Sequence, residues 1–404
     1  MNKRPIVAVD AGSAQTRVLA AEEVDGRLVF RAWGISESKG WKKGGIINLE
    51  AVEASIRKAV EAAEAMLGAP IERAVLGLGA SQVKGLNAHG GINISSRHRE
   101  IQREDQRKAV DEVRRQVTML PDRVVLHVIP KEYTLDSFEG IRDPVGMMGG
   151  RLEVNIHVIS AAQSGQMNLV TAANHAGLIV EETAYEALAA AEAALNTDER
   201  ELGVVLADIG AGSTEVIAFQ HGSLQHSFTV PVGGDHFTND IAVGLRTPIP
   251  EAERIKCGFG VAMATLAGPS VSIEVPRVGD RPLRLVPQQE LGEILQPRAQ
   301  ELLELIYDEL HRAGLDRQTA AGIVFTGGGA KLAGLCDLAE QQLNLTARIG
   351  LPSALEGAPE NICLPVYTTL VGLLYYAQRL RQVRQSKDEN WLDKFKKHLT
   401  GGWN

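Results

Sequence analysis

The chain has 404 residues, 44% of them hydrophobic and 23% charged, the balance of a soluble globular protein too long for one core. Its formal net charge of −8 excludes the broad cationic surface of a general nucleic-acid binder, so no nucleic-acid partner is expected. Three scattered cysteines, Cys257, Cys336 and Cys363, lack metal-ligand spacing and suit buried thiols in a reducing cytoplasm.

In chain order, residues 6–9 form a strand-sized apolar run before Asp10, too short for a secretory signal. A hairpin over 18–33 turns at Asp25-Gly26, and Val52, Ile56, Val60, Ala63 and Leu67 space a helix over 49–67 behind an Asn48 cap. Residues 74–78 read as a buried strand. The texture then changes: strands at 91–94, 124–129 and 152–159 flank a charged helix over 104–117, which reads as an inserted α+β module. A helix over 166–175, a short strand at 178–180 and an alanine-rich helix over 183–195 follow. Further on, helices are expected at 238–244 and 250–257, strands within 270–286, a long helix over 287–313, a buried strand at 323–325 and a closing helix over 366–384. The apolar stretch 364–377 is too short and too hydroxylated to cross a bilayer. Strand–turn–helix units recurring in two halves make this an α/β protein with two related domains.

Two segments 198 positions apart (208 − 10) share one pattern. Asp10 is followed by Ala11, Gly12, Ser13, Ala14, Gln15, Thr16 and Arg17; Asp208 is followed by Ile209, Gly210, Ala211, Gly212, Ser213 and Thr214. Each Asp closes an apolar run, with Gly at +2, Thr at +6 and apolar residues at +8 and +9. This is strand, tight polar turn, strand, occurring twice. Glycines let backbone amides converge on phosphate, Ser and Thr add donors, and each Asp can hold a hydrated Mg²⁺. The run Thr326-Gly327-Gly328-Gly329-Ala330 follows a strand and precedes Lys331; three glycines let backbone lie flat against a ligand, where a plain turn needs one. Glu253 and Lys256, at i and i+3 on one helix face, could flank a nucleoside, though alone they would read as a surface ion pair. A Rossmann reading fails because the glycines open a hairpin instead of a helix, and a Walker A reading fails for want of Gly-Lys-Ser/Thr.

The end of the chain carries its own signal. Trp391, Leu392, Phe395 and Leu399 fall within about 100° of arc on a helix, with Asp393, Lys394, Lys396 and Lys397 elsewhere on the wheel. Gly401-Gly402 ends that helix, Trp403 follows, and a polar linker over 385–390 precedes it. An aromatic stripe beside lysines suits an interfacial helix on anionic lipid, weak alone and strengthened by avidity. The competing reading is a terminal helix docked on the protein's own core.

Together these residues resemble the superfamily of actin, the heat-shock ATPases and the sugar kinases. Residues 10–17 resemble its first phosphate loop, 208–214 the second and 327–330 its adenosine motif, while Glu253-x-x-Lys256 resembles the nucleoside-binding helix of bacterial actins. The helices around 184–190 and 368–372 resemble its interdomain connectors. Three stretches narrow the resemblance to the FtsA family of bacterial division proteins: 127–136 with 141–152, which looks like its inserted subdomain; Gly233-Gly234 through Thr247; and the tail.

The resemblance implies a two-lobed actin-like ATPase fold, with ATP and Mg²⁺ in the interdomain cleft. Residues 1–83, 161–200 and 361–384 would form lobe 1; 84–160 the insert; 201–226 and 305–360 lobe 2; and 227–304 its subdomain. The linker 385–390 and the membrane helix 391–404 would complete the chain. Asp10 and Asp208 would position Mg²⁺ through water. Gln163 and Gln166 are water-orienting candidates by position only, and hydrolysis would be slow or conditional. The family's partners would be FtsZ, further copies of the chain in protofilaments, later divisome membrane proteins and anionic lipid, on the inner face of the cytoplasmic membrane at the septum. The rivals are a type IV pilus assembly actin homologue, which would not need this tail, and a small-molecule kinase, for which no carboxylate base stands out.

Overall fold

The computed structural model describes residues 4–42, 44–79, 83–94, 99–117, 122–277 and 282–385. Its first lobe opens with β1 (Ile6–Ala11), β2 (Gln15–Val24) and β3 (Arg27–Glu37), followed by a ribbon of β4 (Trp41–Lys42) and β5 (Gly45–Ile46). Asp25 and Gly26 both take positive φ, 49° and 80°, which fits the tight two-residue turn between β2 and β3. Helix α1 (Leu49–Leu67) is capped by the Asn48 side chain, which accepts from the Ala51 amide, and ends on left-handed Gly68. Its apolar face lies so close to β3 that a side chain at Gly34 would sit 2.0 Å from the Ala59 carbonyl oxygen. Strand β6 (Arg73–Leu78) follows.

The insert contains β7 (Val83–Asn93), α2 (Arg103–Val117), β8 (Arg123–Leu135), β9 (Phe138–Ile141) and β10 (Arg151–Ala162). Its strands join in the order β7-β10-β8-β9, and α2 buries Ala109, Val110, Val113 and Val117 with this sheet's core. The strands are longer than their sequence pattern suggests. Glycines 85, 90 and 91 weaken the β signal of β7, and Pro130 falls inside β8, where a register shift between Asn155 and Ile156 of β10 leaves Lys131 outside the pairing.

The chain returns to lobe 1 through α3 (Gln163–His175), β11 (Ile179–Tyr185) and α4 (Glu186–Ala194). Here the expected helix over 183–195 is corrected: Thr183, Ala184 and Tyr185 complete β11, paired in parallel with β6, and the helix starts at Glu186.

Lobe 2 comprises α5 (Thr197–Leu202), β12 (Val204–Ile209), β13 (Thr214–Gln220), β14 (Ser223–Val230), α6 (Gly234–Leu245), α7 (Ile249–Phe259), β15 (Ser272–Val275), β16 (Arg284–Pro287), α8 (Gln288–Arg312), β17 (Ile323–Thr326), α9 (Leu335–Leu343) and β18 (Ala347–Ile349). Helix α8 buries Leu291, Leu295, Leu302, Ile306 and Leu310 at helical spacing in this lobe's core. Finally α10 (Thr368–Gln385) crosses back against α4, with Leu370, Val371, Leu373 and Leu374 in the core of lobe 1.

The two large sheets repeat one plan. Their orders are β11-β6-β1-β2-β3 and β14-β13-β12-β17-β18, each with an antiparallel three-strand meander extended by two parallel strands. The carboxyl ends of the central strands β1 and β12 face one cleft between the lobes, where open α/β sheets bind ligands.

Candidate functional site: a cleft between two hairpins

The cleft has a volume of about 1000 Å³. Its walls include both tight turns. In the first hairpin Asp10 pairs with Arg17 and Ala11 with Thr16; in the second Asp208 pairs with Glu215 and Ile209 with Thr214. The turns match in detail, since a side chain at Gly12 would stand 3.1 Å from the Gln15 carbonyl and one at Gly210 would stand 3.1 Å from that of Ser213. They also face each other: a side chain at Gly212 would lie 3.5 Å from Ser13 Oγ.

Asp10, Gly12, Ser13, Ala14, Gln15, Arg17, Asp208, Gly210, Ala211, Gly212 and Ser213 line the cleft. Thr16 and Thr214 do not. Both are fully buried; Thr16 Oγ1 shares a 2.8 Å hydrogen bond with Ser38 Oγ, and Thr214 Oγ1 donates to the Val232 carbonyl at 2.8 Å. Their shared position braces each hairpin from behind, a role different from the phosphate contact their spacing suggests.

The opposite wall is equally built. Gly234 and Asp235 donate backbone hydrogen bonds to the Gly210 and Ala211 carbonyls at 2.9 and 2.8 Å, tying the start of α6 to the second turn. Gly233 lies behind the wall, where a side chain would come within 2.6 Å of Ala211 O and Ser213 N. Lys256 donates to Gly234 O, Thr238 Oγ1 and Glu253 Oε2 at 3.0, 2.8 and 2.7 Å, so it joins α7 to α6. Burial works to raise the Glu253 carboxyl, but Lys256 and Thr238 hold it below its usual range. Gly327, at φ +78°, leaves only 2.2 Å between a would-be Cβ and Asp208 Oδ1, while Gly328 meets nothing closer than Val366 at 3.8 Å. Gly327, Gly328, Gly329 and Lys331 all line the cleft.

Two carboxylates that the sequence pattern did not single out complete the floor. Glu186, the first residue of α4, and Glu215, on β13, line the cleft with Asp10 and Asp208. Glu215 accepts from the Ala187 amide at 3.1 Å, so lobe 2 supplies the cap that α4 lacks from its own Tyr185. A side chain at Gly79 would come within 2.1 Å of Glu186 Oε2 and 2.3 Å of Glu215 Oε1. Gln163 and Gln166, by contrast, stand outside the cleft wall; Gln163 is exposed at the start of α3, and Gln166 Nε2 donates to Thr183 Oγ1 at 2.7 Å.

Burial sets the electrostatics. It raises the Asp10 carboxyl despite Arg17, whose guanidinium is 3.7 Å away, and the Gly12 amide. Burial also pushes Asp208 up to about 6, against a 2.6 Å hydrogen bond from Thr369 Oγ1 and with Asp10 adding to the rise. Glu186 is raised well above its ordinary value by burial, then by Asp10, Glu215 and Asp208. Among the described residues no three His, Cys, Asp or Glu side chains converge closely enough to hold a metal directly. Asp10 and Asp208 both present carboxyl oxygens to the cleft, a donor set that fits a cation keeping its water shell, which is how Mg²⁺ binds beside phosphates.

The solved structures with this architecture define its class. The chain aligns over 92% of its length with a protein of a PilM-PilN type IV pilus biogenesis complex, with TM-score 0.67, 15% identity and 98% of that chain covered. It aligns over 95% with MreB5 of Spiroplasma citri bound to AMPPNP, with TM-score 0.57, 14% identity and 99% covered. The fold is that of the actin-like ATPases. A family model described as Cell division protein FtsA matches residues 205–372, and one described as the SHS2 domain inserted in FtsA matches 80–160. Proteins named Cell division protein FtsA are 39% identical in Pseudomonas aeruginosa (92% of this chain, 88% of that protein), 35% in Escherichia coli K12 (93% and 91%) and 35% in Bacillus subtilis (96% and 86%). The chain belongs to the FtsA family of cell division proteins.

Proposed function

We propose that the cleft binds ATP with Mg²⁺ and that the bound nucleotide controls assembly of the chain into actin-like filaments on the cytoplasmic membrane, where they tether FtsZ and recruit later division proteins. The observation that carries the reading is the pair of matched Asp-bearing turns facing each other across one cleft. Amides and hydroxyls of Gly12, Ser13 and residues 210–213 would hold the phosphates, and the Gly327–Gly329 backbone, Glu253, Lys256 and Lys331 would frame the nucleoside. Mg²⁺, when bound, neutralises phosphate and carboxylate charge, and Asp10 and Asp208 would hold it through water. Glu186, which lines the cleft where Gln163 and Gln166 do not, would orient a water. Its raised affinity for a proton keeps it a poor base until positive charge enters the floor, which accords with slow or conditional hydrolysis.

The tail residues Trp391, Leu392, Lys394, Phe395, Lys396, Lys397, Leu399 and Trp403 lie outside the described residues. Among the described residues no helix is long and apolar enough to cross a membrane. Attachment is assigned to this tail on its sequence pattern alone. Electron microscopy of the full chain with ATP on anionic lipid monolayers is expected to show ordered filaments. A chain ending at residue 385 should lose co-sedimentation with anionic vesicles while keeping nucleotide binding. Equal sedimentation of the two chains would remove the anchor from the account, and monolayers without filaments would remove polymerisation.

A further inference from the structure

The insert leaves lobe 1 between β6 and α3, yet it is fastened to both lobes by two buried histidines. His127 on β8 is 4% exposed, and its Nε2 accepts the Tyr185 amide at 3.0 Å, one residue before Glu186. Its ring also meets Tyr376 of α10 edge-on at 5.8 Å. His157 on β10 is fully buried against lobe 2. Its Nδ1 lies 2.7 Å from Asn87 Oδ1 and its Nε2 2.8 Å from Ser227 Oγ on β14. Asn87 Nδ2 donates to the Gln225 carbonyl at 3.2 Å, which leaves its Oδ1 as an acceptor. Nδ1 of His157 therefore carries the proton, and Nε2 accepts the Ser227 hydroxyl. Burial lowers both rings, His127 to about 4 and His157 to about 3, so both are neutral hydrogen-bonding groups at physiological pH.

The lobe 2 contact is close. A side chain at Gly85 on β7 would fall 2.1 Å from Ser227 Oγ, so only glycine lets the two backbones meet. Ser223 Oγ adds a 3.0 Å bond to the Lys131 carbonyl, and Arg142 grips Glu201 of α5 through two bonds of 3.0 and 2.7 Å. A closed mechanical circuit results. From Ser227 on β14 it passes through the β13 pairing to Glu215, across to the Ala187 amide, back along the chain to Tyr185 and into the insert at His127.

We propose that the insert is a lever driven by the lobes: rotation of β13 and β14 relative to α4, on nucleotide exchange, is transmitted through His157 and His127 to the insert's outer edge. That edge displays Phe138 at 73%, Met148 at 65% and Met147 at 40% exposure, so a change of cleft contents reorients an apolar surface outside the cleft. A buried and satisfied polar contact suits this role, because sliding it costs the hydrogen bonds of both partners and the two lobes move it as a unit. The inference rests on the nucleotide reading of the cleft.

Hydrogen exchange of the full chain, with ATP·Mg²⁺ and with ADP·Mg²⁺, tests it. Amides in 135–150 are expected to exchange at rates differing by about threefold or more between the two nucleotides. In Ser227→Ala and in His157→Ala that difference should shrink, with ATP affinity within about threefold of the parent. Ser227→Ala removes only a hydroxyl, so it keeps the test open should His157→Ala fail to fold. Tight nucleotide binding with identical exchange of 135–150 in both states overturns the lever alone, as does an undiminished difference in Ser227→Ala. Failure of the parent chain to bind either nucleotide overturns the lever and the cleft reading together.

Discussion

Asp208→Asn should make the ligand-free protein more stable at pH 7 while abolishing its stabilisation by ATP and Mg²⁺. The folded state raises this carboxyl from 3.8 to about 6, chiefly through burial. Between those values the folded state binds more protons than the unfolded one, so stability falls as pH rises through the window, and the full cost is present above pH 6. Allowing for the partial exposure of the side chain, that cost is about 2 kcal/mol. Asparagine removes the charge and keeps an oxygen to accept from Thr369 Oγ1. Melting curves of parent and variant, each with and without ATP·Mg²⁺, measure both effects. A variant less stable than the parent without ligand would show that the charge is already satisfied, and a variant with a full ligand-induced shift would remove Asp208 from the cation site.

Gly372 carries the second large effect. It lies where α10 crosses α4, the two helices linking the lobes, and a Cβ there would stand 1.8 Å from the Ala189 carbonyl oxygen and 2.4 Å from its carbon. The atom in the way is backbone, so the clash is relieved only by parting the helices. Gly372→Ala should cost about 2–3 kcal/mol through overpacking, and Gly372→Val more. Both should weaken nucleotide binding, because Thr369 lies one turn away on the same helix and holds Asp208. Denaturant titration reads the first effect and nucleotide affinity the second; an unchanged midpoint in Gly372→Val would mean that the helices are free to move apart.

Much of the fold is legible because its signals are local. The Asp25-Gly26 turn, the Asn48 cap and the spacing along α1 each announce their element from neighbouring residues. What the sequence hides depends on distant partners. Gly85, Gly91 and Pro130 depress the strand signal of β7 and β8, and Gly85 is there because Ser227 needs its space. Thr183 to Tyr185 read as helix because small and aromatic residues adjoin an alanine run, whereas parallel pairing with β6 makes them strand. The site shows the same division. The Asp-x-Gly turns are visible through repetition, but Glu186 looks like any first-turn acid and Glu215 like a solvent-facing strand residue. The close approach of Gly79 to both shows that Glu186 and Glu215 adjoin, and the shared cleft wall brings them beside Asp10 and Asp208. The repeated threonines mislead in the opposite sense, since symmetry of the hairpins alone suffices to repeat a buried brace.

Calorimetric titration of the full chain with ATP, with Mg²⁺ present and then chelated, reads directly whether the two facing turns hold one nucleotide through a hydrated divalent cation. One site per chain is expected, with competition by ADP and an affinity that drops at least about tenfold, or 1.4 kcal/mol, when Mg²⁺ is removed. Absence of any binding heat, or the same affinity with the cation chelated, would contradict it.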